Sequence, residues 1–240
     1  MLFTKRWMKV AVIIIAAVIA ISFIIATAAS ASPQESTPKA VIHISQATAK
    51  SRFISLLNSL KVDSRPSSHT GYKRSLFKHW IDADHDGCNT RAEVLMSESS
   101  TSTTHSSTCT IRTGKWWSAY DNRTITSASS LDIDHFVPLS EAWKSGAYNW
   151  SASRRQAFAN DLKYPLSLIA VSSSTNRSKG DLDPAHWLPN FRGYTCTYAA
   201  TWIAVKYRWS LTVDAVEKSV LRGLIGSCGA TVRVPIPAKA

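Results

Sequence analysis

The sequence predicts an α+β fold on three observations. Apolar residues recur with helical spacing at both ends of the chain beyond residue 40, short runs with strand character fill its middle, and four cysteines lie between Cys88 and Cys228. At 240 residues there is room for one sizeable domain with a proper hydrophobic core.

The N-terminus stands apart from that domain. Lys5, Arg6 and Lys9 precede an apolar run over 10–25, and the small residues ATAASAS follow. Basic, then apolar, then small is the layout of a secretory signal, and Ala29-Ser30-Ala31 fits its cleavage site. The expected division is a signal peptide over 1–31, a flexible leader over 32–40 with two prolines and no apolar pattern, and a single domain over 41–240. An uncleaved membrane anchor is the rival reading, because the run approaches the roughly 20 residues that span a bilayer. The small residues crowding its end favour cleavage, which predicts a secreted chain with no stable membrane association.

The formal charge is +12, of which the signal carries only three positive charges, so the exported portion stays strongly basic. Such a field favours polyanions: nucleic acid, anionic lipid or acidic wall polymer. In an exported chain an even number of cysteines predicts disulfides. Three pairings are open, and Cys88–Cys109 with Cys196–Cys228 is favoured because each closes a local loop, at a gain of roughly 3 kcal/mol in the chain-entropy picture. No CxxC or Cys/His zinc spacing competes with them.

Taken in order, Ile42, Phe53, Ile54, Leu56, Leu57 and Leu60 predict one apolar helical face, followed by a loop at SRPSSHTG and a second helix over KRSLFKHW. SESSTSTTHSSTC reads as a low-complexity loop tied down at Cys109. CTIRTGKWWSAYD and TITSASSLDIDHFV predict a hairpin with DNR at its turn. SASRRQAFANDL reads as a helix capped by Ser151 or Ser153, and YPLSLIAVS as a buried strand or a helix. TYAATWIAVKYRW and LTVDAVEKSVLRGLIG read as helices, the second capped by Thr212 with Asp214 in its first turn. Most tryptophans, Trp116, Trp117, Trp143, Trp150 and Trp187 among them, are expected in the core, although stacking on bases is a second use for such rings.

The stretch LDIDHFVPLS places Asp134 beside His135. In a regular strand neighbouring side chains point to opposite faces, so such a pair can serve one site only where the strand ends; Pro138 marks that end. Taken with NRSKGD, DIDHFVPLS resembles the HNH family of ββα-metal nucleases. The wider chain, with DADHDGCNTR, FANDL, NRSKGDLDPAHWLP and the paired cysteines, resembles the exported HNH endonuclease family proteins, from about residue 56 to 228. That resemblance implies a ββα-metal core at about 110–190 with added N- and C-terminal helices. It implies a divalent cation, Mg²⁺ or Mn²⁺, on Asp134 and Asn176, with His135 as general base and Asn160 as the asparagine that orders the site's loop. Asn176 stands where the family's name has a histidine, and the interval from His135 to Asn176 is longer than in compact members.

Phosphodiester hydrolysis needs a deprotonated water, a cation near the leaving oxygen and relief of charge on the transition state. A neutral imidazole suits the first need. One carboxylate and one amide oxygen leave coordination positions open for water and phosphate, the usual condition of Mg²⁺ in phosphoryl-transfer sites. Lys179 and Arg177 flank Asn176 and are expected to meet the substrate backbone.

DADHDGCNTRAE, residues 82–93, satisfies the twelve-residue pattern of a calcium loop: Asp82, Asp84 and Asp86 as oxygen donors, Gly87 at the turn and Glu93 as the last carboxylate. The competing reading is an acidic turn with Arg91 paired internally. G-x-S-x-G and H-E-x-x-H do not occur, which counts against a serine hydrolase or a zincin.

The expected activity is therefore metal-dependent endonucleolytic cleavage of DNA, with RNA as a second candidate. Low sequence specificity is expected because no helix-turn-helix or zinc finger is recognisable and diffuse basic charge binds backbone. The rivals are a cell-surface nucleic-acid-binding protein that does not cut and a calcium-stabilised wall-binding protein.

Overall fold

The computed structural model describes residues 38–229 and 232–240, with side chains from residue 49 onward. The expected signal peptide and all but the last three residues of the expected leader lie outside the described residues; those three already belong to the first helix. Among the described residues, no helix is long and apolar enough to cross a membrane.

The fold is mixed α/β, with helices α1 (Pro38–Ser59) and α2 (Thr90–Glu98) ahead of the strands. Strands β1 (Thr104–His105), β2 (Ile111–Ser118) and β3 (Arg123–Ser127) form an antiparallel sheet in that order. Strand β4 (Leu131–His135) is separate from the hairpin the sequence suggests: a 3₁₀ turn over Ala128–Ser130 breaks the second run, and β4 pairs instead with β5 (Leu168–Ser172). Between β4 and β5 come α3 (Leu139–Lys144) and α4 (Ala152–Ala159); after β5 come α5 (Ser173–Lys179), α6 (Thr195–Trp209) and α7 (Ala215–Ser227).

The β4–β5 pair lies between two hydrophobic cores, and its register explains how. Leu131 faces Ser172, Ile133 faces Ala170 and His135 faces Leu168 in one antiparallel ladder. Leu131, Ile133, Leu168 and Ala170 pack with α2, Trp116 and Ile125 on one side, while Ile169 and Val171 join the larger core on the other. Both faces of β5 are thus apolar, the pattern of a strand buried on both sides, whereas β4 turns Asp132 and Asp134 to the face it shares with Ile169 and Val171. Phe53 and Leu57 of α1 enter the larger core with Trp202 and Ile203 of α6 and Leu221 of α7. Each such side chain stabilises the fold by roughly 1.5–3 kcal/mol through removal from water.

Both disulfides have the local pairing, Cys88–Cys109 with Cα atoms 5.1 Å apart and Cys196–Cys228 at 5.7 Å. The second joins the start of α6 to the residue after α7. Asp214, not Thr212, caps α7: its carboxylate accepts from the Glu217 backbone while Glu217 reaches back to the Asp214 N–H. Ser151 caps α4 as one of the two candidates.

The helix expected over KRSLFKHW is a single 3₁₀ turn, Arg74–Leu76. Its continuation fails because the next carbonyls are taken by side chains: Arg155 donates to Leu76 O, the His79 ring to Phe77 O and Asn160 to Lys78 O. Trp80 then turns into the left-handed region at φ 57°, a conformation a bulky residue keeps only when its surroundings impose it.

Candidate active site

β4 stops at His135, and Pro138 opens α3 three residues later. At that strand end Asp134 and His135 both line a cleft of about 200 Å³, and Asn176 of α5 lines it with them. The three residues expected to share a site therefore do so. Asn176 is brought there because α5 begins directly where β5 ends, and Gly180, at φ 54°, closes that helix by donating to Asn176 O.

His135 is 6 % exposed, and its Nε2 donates to Ala159 O at 3.0 Å. This contact assigns the ring tautomer, leaving Nδ1 as the nitrogen with a free lone pair. Burial pushes the imidazole down to about 3, with the hydrogen bond to Ala159 opposing, so the ring is neutral at any pH near 7. Trp80 covers it at 5.4 Å between ring centroids.

Asn160 follows Ala159 and acts on the same loop. Its amide donates to Lys78 O and Gln156 O and accepts from Ile81 N and Thr90 Oγ1, which ties the segment carrying Trp80 to the end of α4. It does not line the cleft itself.

Asp134 is buried, and its Oδ2 accepts from the Tyr120 hydroxyl and from Lys179 Nζ, each at 2.5 Å. Neither bond uses Oδ1. Burial pushes the carboxyl above its ordinary range while the Lys179 charge and the two hydrogen bonds oppose it. Burial likewise pulls the Lys179 ammonium down, against the attraction of Asp134.

Lys179 departs from its expected place. It is 0 % exposed, and its ammonium is spent on Asp134, His135 O and Phe136 O beneath the rings of Tyr120, Phe136 and Trp202. The i, i+4 spacing from Thr175 to Lys179 puts both on the inner side of α5, so the lysine reaches into the core. Arg177 points the other way, with a side chain 77 % exposed and its Nε 3.8 Å from Asp132.

Four residues escaped the sequence reading. Asp132 accepts from Asn176 Nδ2 at 3.2 Å and so turns the amide, leaving the Asn176 carbonyl oxygen available. The period of two that puts Asp132 on the face of Asp134 was a usable signal. Tyr120 and Trp80 reach the site only through tertiary packing, and Arg74, which also lines the cleft, carries no local signature.

A second acidic cluster lies in the loop before α2. One oxygen from each of Asp82, Asp84 and Asp86 falls within 4.8 Å of the others, and Gly87 turns the chain at φ 92°. Glu93 faces the cluster: burial raises its carboxyl, and the charges of Asp84, Asp86 and Asp82 raise it further. Asp82 Oδ1 and Glu93 Oε2 are buried without a hydrogen-bond partner. Asn89, at a position usually apolar in such loops, is the N-cap of α2, and Arg91 donates to Ala128 O and Leu131 O instead of pairing with the acids.

Comparison with known proteins gives a consistent picture. Residues 90–223 match the family model of the C-terminal domain of GmrSD restriction endonucleases. A protein of Arthroderma benhamiae named "Uncharacterized secreted protein" is 46 % identical over 175 residues, covering 72 % of this chain and 83 % of its own. No solved structure matches. The matched segment contains β4, β5 and α5 with every residue of the cleft except Arg74, and the chain belongs to the family of the GmrSD restriction endonuclease C-terminal domain.

Proposed function

We propose that this chain is a secreted, metal-dependent endonuclease whose ββα-metal core is β4, β5 and α5. The observation that carries the reading is the meeting of Asp134, His135 and Asn176 in one cleft, with the His135 ring held through Nε2 by a backbone carbonyl. Family membership supports nuclease chemistry, and the secreted relative together with the basic, apolar and small run over 1–31 supports export.

The donor set fits a hard divalent cation such as Mg²⁺ or Mn²⁺: Asp134 Oδ1 and the Asn176 amide oxygen would hold it, both outside the hydrogen bonds that fix those side chains. When bound, such an ion supplies Lewis-acid stabilisation to the phosphate and the leaving oxygen. The chain's own residues do the rest. His135 Nδ1 takes the proton of the attacking water, and Ala159 O stabilises the imidazolium that forms through Nε2–H. Asn160 holds the loop that presents Ala159, while Lys179 and Tyr120 lock the rotamer of Asp134. Arg177, on the rim, meets the phosphate backbone. DNA is the favoured substrate and RNA the second, with contacts to backbone outweighing contacts to bases.

Plasmid incubation tests the reading. Supercoiled DNA should be nicked and linearised with Mg²⁺, left intact with EDTA, and left intact by His135→Ala and Asn176→Ala chains that melt like the wild type. Binding by the wild type without cutting would replace the enzyme with a nucleic-acid-binding protein.

The 82–93 loop, in the same reading, holds a structural Ca²⁺, supported by the two buried oxygens of Asp82 and Glu93 that lack partners. Ca²⁺ should raise the melting temperature of the wild type and leave Asp84→Asn/Asp86→Asn unmoved. Equal shifts in both chains would remove the ion from that loop.

A further inference from the structure

The buried fate of Lys179 leaves the cleft short of a cation for its substrate. Of the basic residues expected there, Lys179 is neutralised by Asp134 and closed off from solvent, and Arg177 stands on the rim beside Asp132. A third cation lines the cleft, Arg74 of the 3₁₀ turn. Among the described residues it forms no ion pair, although Asp181 lines the same cleft.

The backbone that carries Arg74 is anchored on both sides. Trp143 Nε1 donates to Thr70 O at 3.1 Å, Arg155 Nε to Leu76 O at 3.2 Å and Asn160 Nδ2 to Lys78 O at 2.8 Å, with Phe77 fully buried between the last two. Residues 70–81 thus form a strap across the site, pinned by side chains from α3 and α4 and by the C-cap of α4. An arginine that meets the Tyr72 hydroxyl but has no carboxylate partner among the described residues, on so fixed a support, is placed for an anion, and its planar fork matches two phosphate oxygens at once.

We infer that Arg74 is the phosphate-binding residue of the cleft, holding the non-bridging oxygens of the phosphodiester that His135 and Asn176 address. The strap lies outside residues 90–223, so this contact comes from a segment beyond the matched family domain. The inference rests on the nuclease reading for its substrate, and the two can fail separately.

The test has a binding arm and a cutting arm. In the first, His135→Ala and His135→Ala/Arg74→Gln chains are titrated into a fluorescein-labelled DNA duplex with Mg²⁺, and anisotropy is followed over a range of salt concentrations. Loss of one charge-assisted phosphate contact should weaken Kd roughly tenfold or more and make the salt slope shallower by about 0.9. In the second, Arg74→Gln should cut plasmid at least about tenfold more slowly than wild type in single turnover, at an unchanged melting temperature, with Arg74→Lys recovering part of the loss. Equal affinities and slopes, or cutting by Arg74→Gln within about twofold of wild type, would overturn the inference. A wild type that does not cut would overturn the nuclease reading, and the binding arm alone would then decide the role of Arg74.

Discussion

Lys179 and Asp134 form an ion pair closed off from water, and such a pair is worth less than its parts suggest. Taking both charges out of water costs about as much as their attraction returns, so the pair adds little net stability but cannot lose one member cheaply. Lys179→Met should therefore destabilise the chain by about 3–5 kcal/mol, because it strands the Asp134 carboxylate. Adding Asp134→Asn should restore most of that loss and no cutting at all. Urea unfolding of the single and double variants measures both, and additive losses would mean that the pair is not coupled. The same residue explains a departure from the sequence reading: a basic residue in a polar heptapeptide looks solvated, and only the inward side of α5 reveals that it is a counter-ion.

At the scale of elements, legibility followed length and locality. α6 and α7 were readable because fifteen and thirteen residues carry enough turns for a 3.6-residue pattern to repeat. α3, α5 and α2, at six, seven and nine residues, hold too few turns for that signal, and α2 was read only as part of an acidic loop. The pairing of β4 with β5 spans two helices, so no turn sequence announces it. The apolar run LSLIAVS, undecided between strand and helix, became a strand because β4 offered it a ladder and apolar walls on both faces. Asp134, His135 and Asn176 could be found as a pattern of types and Asp132 by its strand spacing from Asp134, whereas Tyr120 and Trp80 could be placed only by the packing that surrounds them. One element also couples to pH. Glu98, in the last turn of α2, accepts from Ala170 N of β5 at 2.9 Å, and burial lifts its carboxyl to about 7. Between its ordinary value near 4.5 and that raised value the folded chain holds a proton that the unfolded chain releases, so stability falls as pH rises through this window. Glu98→Gln keeps an acceptor for Ala170 and removes the titration. Its melting temperature should exceed that of the wild type at about pH 8 and change less between about pH 5 and pH 8; parallel curves would show that Glu98 does not carry the effect.

For the whole molecule, the buried charges divide into a structural group and a site group. Lys206 lies among α3, α6 and the start of α7, donating to Glu141, Ser145, Thr212 O and Glu217; burial works to lower its ammonium, and the two carboxylates outweigh it. Arg208 clamps Asp161 through two nitrogens behind β5. These networks fasten the helical layer, while Asp134 lines the cleft and Lys179 holds its carboxylate from the core side. Trp117, 50 % exposed against Phe191 and Tyr194, is the exception to the expectation that tryptophans fill the core. The account as a whole depends on one carboxylate and one amide gripping a single cation beside the His135 ring. A crystal of the His135→Ala chain grown with Mn²⁺ and DNA tests this most directly through its anomalous difference map. The expected result is one peak in the cleft, within coordination distance of Asp134 Oδ1, the Asn176 amide oxygen and a phosphate oxygen. A fully occupied peak held by other residues, with DNA bound away from residues 134 and 176, would contradict it.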